Sequence, residues 1–425
     1  MSFENTQNIN QYVAYRQYVE SHHFFYKGID LVSPMVIDVA GFYLENDSRK
    51  WRTIIDLLTR QFQPAPLFEA FNKYKTVMTF EMLKRKDHEQ LMRMLTSSID
   101  DSTLVLLPLS RSWLINPLRL LKCLVFFKRE KQFSLRQRLF LAAKMYWFSN
   151  LIYQLDAVFK DISLVGKNYI PFCAHESLLS YYFKQKGATT FAIQHGMFGH
   201  YKFFIPRDVV NGDLMHVDKI LTISQYQKDD LIRDWNIPEE KIYVAGNIKY
   251  ASPHPMRHTP IKKCLILGGI ASYDKYLMEL LQLLDVCAEK TGMKFELRPH
   301  PFSRILSYKE VSELHHIGIA DTKKIITEVF STNDYEAVIA MNTFSYYEAL
   351  YFGLYTFRYA NGENVVFAGM DDHFTSIEEF ITLKQKYEKE STLFEDQREK
   401  VLRFEMGVGI NQYNQLVNEH SVCYQ

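Results

Sequence analysis

Residues 169–195, YIPFCAHESLLSYYFKQKGATTFAIQH, place an amphipathic segment between two short apolar runs. The runs YIPFCAH (169–175) and TTFAIQH (189–195) have the length and composition of buried strands. Between them, ESLLSYYFKQKG (176–187) has the spacing of a helix, and Gly187 is a suitable residue to end it. A strand, a helix and a second strand in succession predict a β-α-β unit with parallel strands. The sequence therefore predicts an α/β fold.

The same alternation of apolar runs and amphipathic segments continues on both sides of this unit. Further strands are predicted in the first half at MVIDVAGF (35–42), TVMTF (76–80), TLVLLPL (103–109) and KILTIS (219–224), and in the second half at KCLILGG (263–269), KFELRPH (294–300), AVIAMN (337–342) and LYTFRY (354–359). Helices such as DKYLMELLQLLDVCAEKTG (274–292) and SYYEALYFG (345–353) are predicted between them. This pattern is typical of doubly wound sheets with helices on both faces.

The length of 425 residues exceeds what a single hydrophobic core usually supports, so two domains are expected. Three prolines in YASPHPMRHTP (250–260) interrupt regular structure and mark the predicted boundary. We therefore expect a first domain over residues 1–250 and a second over residues 251–385. The polar, helical end, residues 386–425, is expected to cross back to the first domain.

Composition excludes several classes of protein. Lys and Arg total 50 against 49 for Asp and Glu, so the net charge of +1 provides no general attraction to nucleic acid. The five cysteines are far apart and form no CxxC pair, which favours a reducing compartment. The N-terminus has no signal-peptide pattern, and no charge-free apolar run approaches about 18 residues. A cytoplasmic protein without a membrane span is expected.

One segment, residues 111–144, is strongly basic and contains many apolar side chains. Glu130 is its single acid, against the cations Arg111, Arg119, Lys122, Lys128, Arg129, Lys131, Arg136, Arg138 and Lys144. This mixture predicts an amphipathic helix pair on the anionic inner face of a membrane. The alternative is an ordinary helical hairpin that packs its apolar side on its own domain and leaves its cations in water.

A histidine in a stiff turn is the first candidate binding residue. His300 follows the predicted strand KFEL within RPHP (298–301), and the flanking prolines restrict the backbone on both sides of it. Ligands of doubly wound domains bind at the carboxyl ends of the strands, where an imidazole can donate to a phosphate oxygen. Arg298 or Arg304 would add charge-assisted contacts. The alternative is a turn whose histidine caps a local carbonyl.

A second candidate group follows the strand AVIAMN. Thr343 and Ser345 lie in the first turn of the next predicted helix, where their hydroxyls and the helix N–H groups suit an anion. Glu348 follows one turn later, in a position to accept hydrogen bonds from ribose hydroxyls. The alternative is plain capping of the helix by Asn342 or Thr343, with Glu348 in solvent.

A third loop on the same predicted edge contains Gly268 and Gly269, which end the strand KCLIL and allow a ligand to approach the backbone closely. No D-x-D triplet, HExxH motif or Cys/His cluster occurs in the sequence. Neither a metal ion nor an organic cofactor is therefore expected.

The order of these motifs resembles the donor domain of GT-B-fold glycosyltransferases that build bacterial surface polysaccharides. Their helix reads E-A-x-x-x-G before a strand, as residues 348–353 do here. Sialyl- and Kdo transferases of this fold use an HP pair on the donor phosphate and a nearby Ser/Thr pair; His300-Pro301 and Thr343/Ser345 match these, although the Ser/Thr pair is contiguous in those families. The resemblance implies two Rossmann-like doubly wound domains that face a cleft, and a nucleotide-sugar donor held by His300, Arg298, Thr343, Ser345, Glu348, Gly268 and Gly269.

The segment TTFAIQHGMFGHYKFFIP (189–206) resembles the strand-QHG loop of many surface-carbohydrate transferases. His195 ends its strand there, and Glu176 follows the end of the preceding strand. Either is a candidate general base for an acceptor hydroxyl, because an imidazole or a desolvated carboxylate can titrate near neutral pH. The alternative for both residues is a purely structural role, such as capping the helix that follows.

The resemblance thus implies a metal-independent glycosyltransferase of capsule, lipopolysaccharide or related polysaccharide synthesis, acting on a glycan or lipid-linked acceptor. A CMP-linked donor is one candidate, and the same fold also serves UDP-, GDP- and CDP-linked donors. Three other functions remain open: a CDP-alditol phosphotransferase, a nucleotide-sugar epimerase, and a non-catalytic scaffold of a polysaccharide assembly complex.

Overall fold

The computed structural model describes residues 7–45, 50–81, 86–107, 109–172, 178–194, 200–201, 205, 216–235, 237–269, 273–301, 303–341, 343–360, 365–366 and 369–419. The helices formed by these residues are α1 (Ile9–Ser21), α2 (Val36–Leu44), α3 (Trp51–Thr59), α4 (Ala65–Lys73), α5 (Lys86–Ser98), α6 (Pro117–Lys128), α7 (Leu135–Phe159), α8 (Leu178–Gln185), α9 (Gln225–Trp235), α10 (Asp274–Thr291), α11 (Ile326–Ser331), α12 (Ser345–Tyr351), α13 (Ile377–Lys389), α14 (Ser391–Phe404) and α15 (Tyr413–Asn418).

The strands of the described residues alternate with these helices. They are β1 (Phe25–Tyr26), β2 (Ile29–Asp30), β3 (Arg60–Phe62), β4 (Thr76–Glu81), β5 (Ser102–Leu107), β6 (Leu109–Arg111), β7 (Asn168–Pro171), β8 (Thr189–Ile193), β9 (His200–Tyr201), β10 (Lys219–Thr222), β11 (Ile242–Val244), β12 (Lys263–Leu267), β13 (Lys294–Arg298), β14 (Ile317–Ile319), β15 (Ala337–Ala340), β16 (Tyr355–Tyr359), β17 (Val365–Val366) and β18 (His373–Phe374).

The first large sheet has six parallel strands in the order β11-β10-β8-β7-β4-β5. The opening β-α-β unit of the sequence is present in it, since β7 and β8 pair in parallel and α8 connects them. Gly187 follows α8 with φ +92°, a left-handed conformation that glycine adopts without strain. The order of the strands reverses between β4 and β7, which are parallel neighbours although β5 lies between them in sequence.

The second large sheet also has six parallel strands, in the order β14-β13-β12-β15-β16-β18. Numbered along the chain, this is the Rossmann order 3-2-1-4-5-6. The order reverses between β12 and β15, so these two strands define the crevice at which such sheets bind ligands. Two such sheets with helices between their strands confirm the prediction of an α/β chain with two doubly wound, Rossmann-like units.

One strand prediction is wrong. Residues 35–42 were expected to form a strand, and the structure instead has the helix α2 over Val36–Leu44. The segment is apolar on nearly every side because α2 is buried among the helices of the N-terminal part of the protein. Periodicity cannot distinguish such a short buried helix from a buried strand. Its polar residue Asp38 is 3% exposed and forms an ion pair with Lys144 of α7.

The hydrophobic core lies in separate clusters around the two sheets. In one cluster the helices of the N-terminal part, above all α7, pack onto one face of the first sheet. Phe159, Tyr169 and Phe183 are among its members. A second surrounds the other large sheet and includes residues of α10, α12 and α14. A third lies on the opposite face of the first sheet and contains Tyr413 and Val417 of α15. The last helix of the chain therefore packs against the first sheet.

Two stretches of chain meet, one directly after β11 and one between α14 and α15. Gly246 and Asn411 form an antiparallel bridge there, and the Tyr413 hydroxyl donates to the Gly246 carbonyl at 2.9 Å. The backbones are too close for a side chain, because a Cβ built on Gly246 would lie 1.9 Å from the Ile410 carbonyl oxygen. These contacts connect the end of the chain to the first sheet, while the domain limits at residues 250 and 385 stay a prediction.

No helix among the described residues is long and apolar enough to cross a membrane.

We expect Gly246→Ala to lower the free energy of unfolding by roughly 3–5 kcal/mol, because the added carbon must displace the Ile410 backbone and φ is +95°. Gly292→Ala is the matched control. Gly292 also has a positive φ, of +70°, but nothing lies within 4 Å of its Cβ position, so about 1–2 kcal/mol is expected. Urea unfolding followed by tryptophan fluorescence measures both losses, and equal losses would contradict the steric argument.

Candidate active site

Three of the predicted site loops lie side by side at the carboxyl edge of the second sheet. Gly268 follows β12, His300 follows β13, and Thr343 follows β15, with β12 between the other two strands. Strands in a sheet are about 4.8 Å apart, so the outer two of these strand ends are separated by about 10 Å. The structure thus brings the predicted loops to one edge, at the point where the strand order reverses.

Gly268 is in direct contact with the histidine turn. Its N–H donates to the Arg298 carbonyl at 3.0 Å, and a Cβ built on it would lie 3.2 Å from both the His300 nitrogen and the Pro299 Cα. A larger residue would therefore press on the turn that carries the imidazole. Gly269, the next residue, is buried.

A buried carboxylate fixes the turn after His300. Asp274 begins α10 and is 1% exposed; its Oδ1 accepts from the Ser303 hydroxyl at 2.6 Å and its Oδ2 from the Arg304 N–H at 2.8 Å. The Ser303 N–H in turn donates to the His300 carbonyl at 2.9 Å. The backbone that carries the half-buried imidazole is therefore held to the start of α10. Sequence analysis did not identify Asp274; an acid at the start of the helix after the glycine loop was the available signal.

Arg298 faces protein carbonyls. Its guanidinium donates to the carbonyl oxygens of Asp321 at 2.7 Å and Lys324 at 2.5 Å, and burial lowers its pKa from the ordinary value. The residue thus holds the segment after β14 against β13. A direct contact between Arg298 and a donor phosphate stays a prediction.

The hydroxyls after β15 take part in a local network. The Ser345 N–H donates to Thr343 Oγ1 at 3.3 Å in a local turn, while the N-cap position of α12 is Phe344, which makes no side-chain capping hydrogen bond. The Ser345 hydroxyl donates to Glu348 at 2.8 Å, and the Tyr250 hydroxyl donates to the other oxygen of the same carboxylate. Burial and the adjacent Glu348 raise the pKa of Tyr250. Glu348 is half-buried rather than in solvent, so that part of the alternative is excluded.

Two buried tyrosines anchor α12 through hydrogen bonds to carboxylates. The Tyr346 hydroxyl donates to Asp372 at 2.7 Å, and Asp372 also accepts from Arg358 Nε at 2.7 Å and from Thr356 at 3.0 Å. The Tyr347 hydroxyl donates to Glu405 at 2.9 Å. Burial raises the pKa of the Glu405 carboxyl to about 7. All these groups lie beneath the site, where their hydrogen bonds fix the orientation of α12.

The end of α12 is held just as closely. Gly353, the glycine of the E-A-x-x-x-G motif, has φ +75°. A Cβ on it would lie 2.1 Å from the Pro255 carbonyl oxygen, so only glycine lets the linker that contains Pro255 pack this closely. Arg398 of α14 is 7% exposed and donates to the carbonyls of Leu350, Tyr351 and His254 at 2.5, 3.2 and 2.6 Å. The helix, the linker and α14 therefore form one packed unit.

The candidate bases His195 and Glu176 lie outside the described residues. The strands that precede them, β8 and β7, are neighbours in the first sheet, and their last described residues before these segments are Gln194 and Phe172. The expectation that the two strands adjoin is confirmed, and the roles of the two side chains stay predictions.

A further cavity lies at the opposite edge of the second sheet. Its volume is about 760 Å³, and it opens at the amino ends of β12 and β13. Several of its charged groups have partners: Glu336 accepts from the backbone N–H groups of Lys262 and Lys263, and Lys384 pairs with Glu388 at 2.9 Å. Within the described part of the chain, no group of three or more His, Cys, Asp or Glu residues is placed to hold a metal ion.

Comparison with known proteins gives only remote structural similarity. No protein-family model matches the sequence, and no curated protein matches it. A structure of S. aureus TarM with fondaparinux, alpha-GlcNAc-glycerol and UDP is similar at 11% identity and TM-score 0.41, over 60% of this chain and 55% of that one. The chain thus spans about half the length of TarM.

Two further structures align over more of their length. The wall teichoic acid polymerase TagF is similar at 10% identity and TM-score 0.42, over 97% of this chain and 96% of that chain. UDP-N-acetylglucosamine 2-epimerase from Rickettsia bellii is similar at 12% identity and TM-score 0.41, over 78% and 98%. At these identities and scores the similarities identify neither activity nor substrate, and the fold class stands on the sheet topology of the chain itself.

The raised pKa of Glu405 predicts a pH dependence of stability. Between its ordinary value of 4.5 and about 7, the folded protein keeps a proton that the unfolded chain releases. The free energy of unfolding should therefore fall as pH rises through this window, by roughly 3 kcal/mol in total, and change no further above it. In Glu405→Gln the amide still accepts from Tyr347 but has no proton to lose, so this fall should be absent.

Glu399→Gln is the control, since Glu399 lies in α14, which ends directly before Glu405, and is an exposed partner of Arg403. Urea unfolding at pH 5 and pH 8 measures the difference. A wild-type slope that Glu405→Gln leaves unchanged would show that another group is responsible.

Proposed function

We propose that the protein is a glycosyltransferase that moves a sugar from a nucleotide-sugar to a glycan or lipid-linked acceptor in the synthesis of a bacterial surface polysaccharide. The observation that carries the proposal is the meeting of three loops, at Gly268, His300 and Thr343, around the reversal of strand order in the second sheet. This is the place where doubly wound sheets bind nucleotides.

In this proposal the second sheet holds the donor. The imidazole of His300 donates a hydrogen bond to a phosphate oxygen, and Gly268 and Gly269 leave room for the diphosphate beside the backbone. The hydroxyls of Thr343 and Ser345 donate to the same phosphates, and Glu348 accepts from the ribose hydroxyls. Arg298 supports the wall of the site through its contacts with the segment after β14.

The reaction needs a base on one side and a stabilised leaving group on the other. His195 or Glu176, after the ends of β8 and β7, takes the proton of the acceptor hydroxyl as its oxygen attacks the anomeric carbon. The bond from that carbon to the phosphate oxygen breaks, and the negative charge stays on the nucleotide. His300 and the hydroxyls stabilise this charge, so the mechanism proposed requires no metal ion or organic cofactor.

The nucleotide is identified by a thermal-shift panel of CMP, CDP, UDP, GDP and dTDP. A nucleotide that binds only the native state stabilises it by about 2.7 kcal/mol at one hundred times its Kd, so a clear rise in melting temperature is expected for one member. A flat panel would favour the non-catalytic scaffold. With the nucleotide known, product analysis separates sugar transfer from alditol-phosphate transfer and from epimerisation of the donor alone.

His300→Ala should weaken binding of the nucleotide that the panel selects. Loss of one hydrogen bond to a charged group costs about 1.5–3 kcal/mol, which is roughly a 10- to 100-fold rise in Kd by calorimetry. His315→Ala is the control, because His315 is an exposed histidine of the same half of the protein, outside the three loops. Unchanged affinity in His300→Ala would remove the role assigned to the imidazole.

A further inference from the structure

The outer side of α6 exposes a stripe of apolar side chains. Leu118, Leu121 and Val125 are 72%, 56% and 56% exposed, and their spacing places them on one side of the helix. Trp113 and Leu114, in the stretch directly before the helix, are 74% and 85% exposed. We call these five residues the apolar stripe.

The stripe is not needed for folding of the first half. The opposite side of α6 already supplies Cys123 and Phe127 to the core, where both are 1% exposed. The helix is therefore apolar on two sides, of which only one is covered. A contiguous exposed apolar surface of this kind marks a contact with a partner.

Cations predominate among the charges beside the stripe. Those exposed and close to it in sequence are Lys122, Lys128, Arg129, Lys131 and Arg136, while Arg111 forms an ion pair with Asp56 of α3. The one acid of the segment, Glu130, is half-buried and lies 3.6 Å from His22. The partner must accordingly be apolar where it meets the stripe and anionic around it.

A second copy of the chain does not fit this description. In a symmetric dimer the same patch meets itself, so the cations of both copies would face each other. An anionic lipid bilayer does fit, because it offers acyl chains beneath a layer of negative headgroups. The 12 residues of α6 extend about 18 Å, which is too short to span a bilayer of about 30 Å, so the helix would lie flat in the interface.

We propose that the apolar stripe and its surrounding cations dock the protein on an anionic membrane surface, with Trp113 among the headgroups. The contact does not depend on the transferase proposal. If both hold, the docked first half is placed where a lipid-linked acceptor is anchored.

The test is co-sedimentation of the full chain with vesicles of phosphatidylcholine alone and with added phosphatidylglycerol. Wild type should bind the anionic vesicles, with affinity that falls as salt rises. The triple variant Leu118→Ser, Leu121→Ser, Val125→Ser should lose binding. The control replaces three exposed apolar residues elsewhere, Val165, Leu306 and Ile319, by serine and should bind as wild type does.

The charge contribution is tested separately. Each cation near an anionic surface strengthens binding about fivefold, so Lys122→Ala with Lys128→Ala should weaken it about 25-fold. The double variant Lys309→Ala, Lys323→Ala, whose residues are equally exposed but far along the chain, should not change it. Equal binding of neutral and anionic vesicles, or no binding to either, would overturn the proposal.

A depth measurement guards against variants that fail to fold. Lipids brominated along their acyl chains should quench tryptophan fluorescence in wild type, and less so in Trp113→Phe. If quenching is equal in the two proteins, or if sedimentation equilibrium shows a dimer that the triple serine variant dissociates, the stripe is not a lipid contact.

Discussion

The site depends above all on the hydrogen bonds that hold α12 in place. Buried acceptors fix Tyr346 and Tyr347 from below, Arg398 binds the carbonyls at the end of the helix, and Tyr250 reaches Glu348 from the linker. The tyrosine hydroxyls and their carboxylate partners beneath α12 would be costly to leave unpaired, because these bonds are buried away from water. The position of the loop that carries Thr343 and Ser345 is thus set by three separate parts of the chain.

A second buried carboxylate does the same for the neighbouring loop. Asp274 ties the turn after His300 to the start of α10, while Gly268 allows the turn to lie against the end of β12. Both loops therefore project from rigid elements, and little conformational entropy remains to be lost when a ligand binds between them. Such preorganisation is what stabilisation of a developing charge on a leaving phosphate requires.

The strands of the second sheet and the edge at which their loops meet could be predicted from the sequence, because local apolar pattern and strand direction determine them. Apolar runs at 263–269, 294–300 and 337–342 contain β12, β13 and β15. Because ligands of such sheets bind at the carboxyl ends of the strands, His300, Gly268 and Thr343 were expected at one edge, and the structure places them there. Contacts between distant residues were not predictable: Asp274 bonds a residue 29 positions away, Tyr347 one 58 away, and Tyr250 one 98 away. The error at 35–42 has the same origin, since the burial of α2 depends on α1 and α7, which pack against it, and not on the segment itself.

The covalent connection between the two sheets runs through residues 245–262, and after α14 the chain returns so that α15 packs non-covalently against the first sheet. A protease cut in the proline-rich linker would accordingly leave the two fragments associated through α15, and the first sheet with its complete helical cover is encoded by two separate segments of the gene.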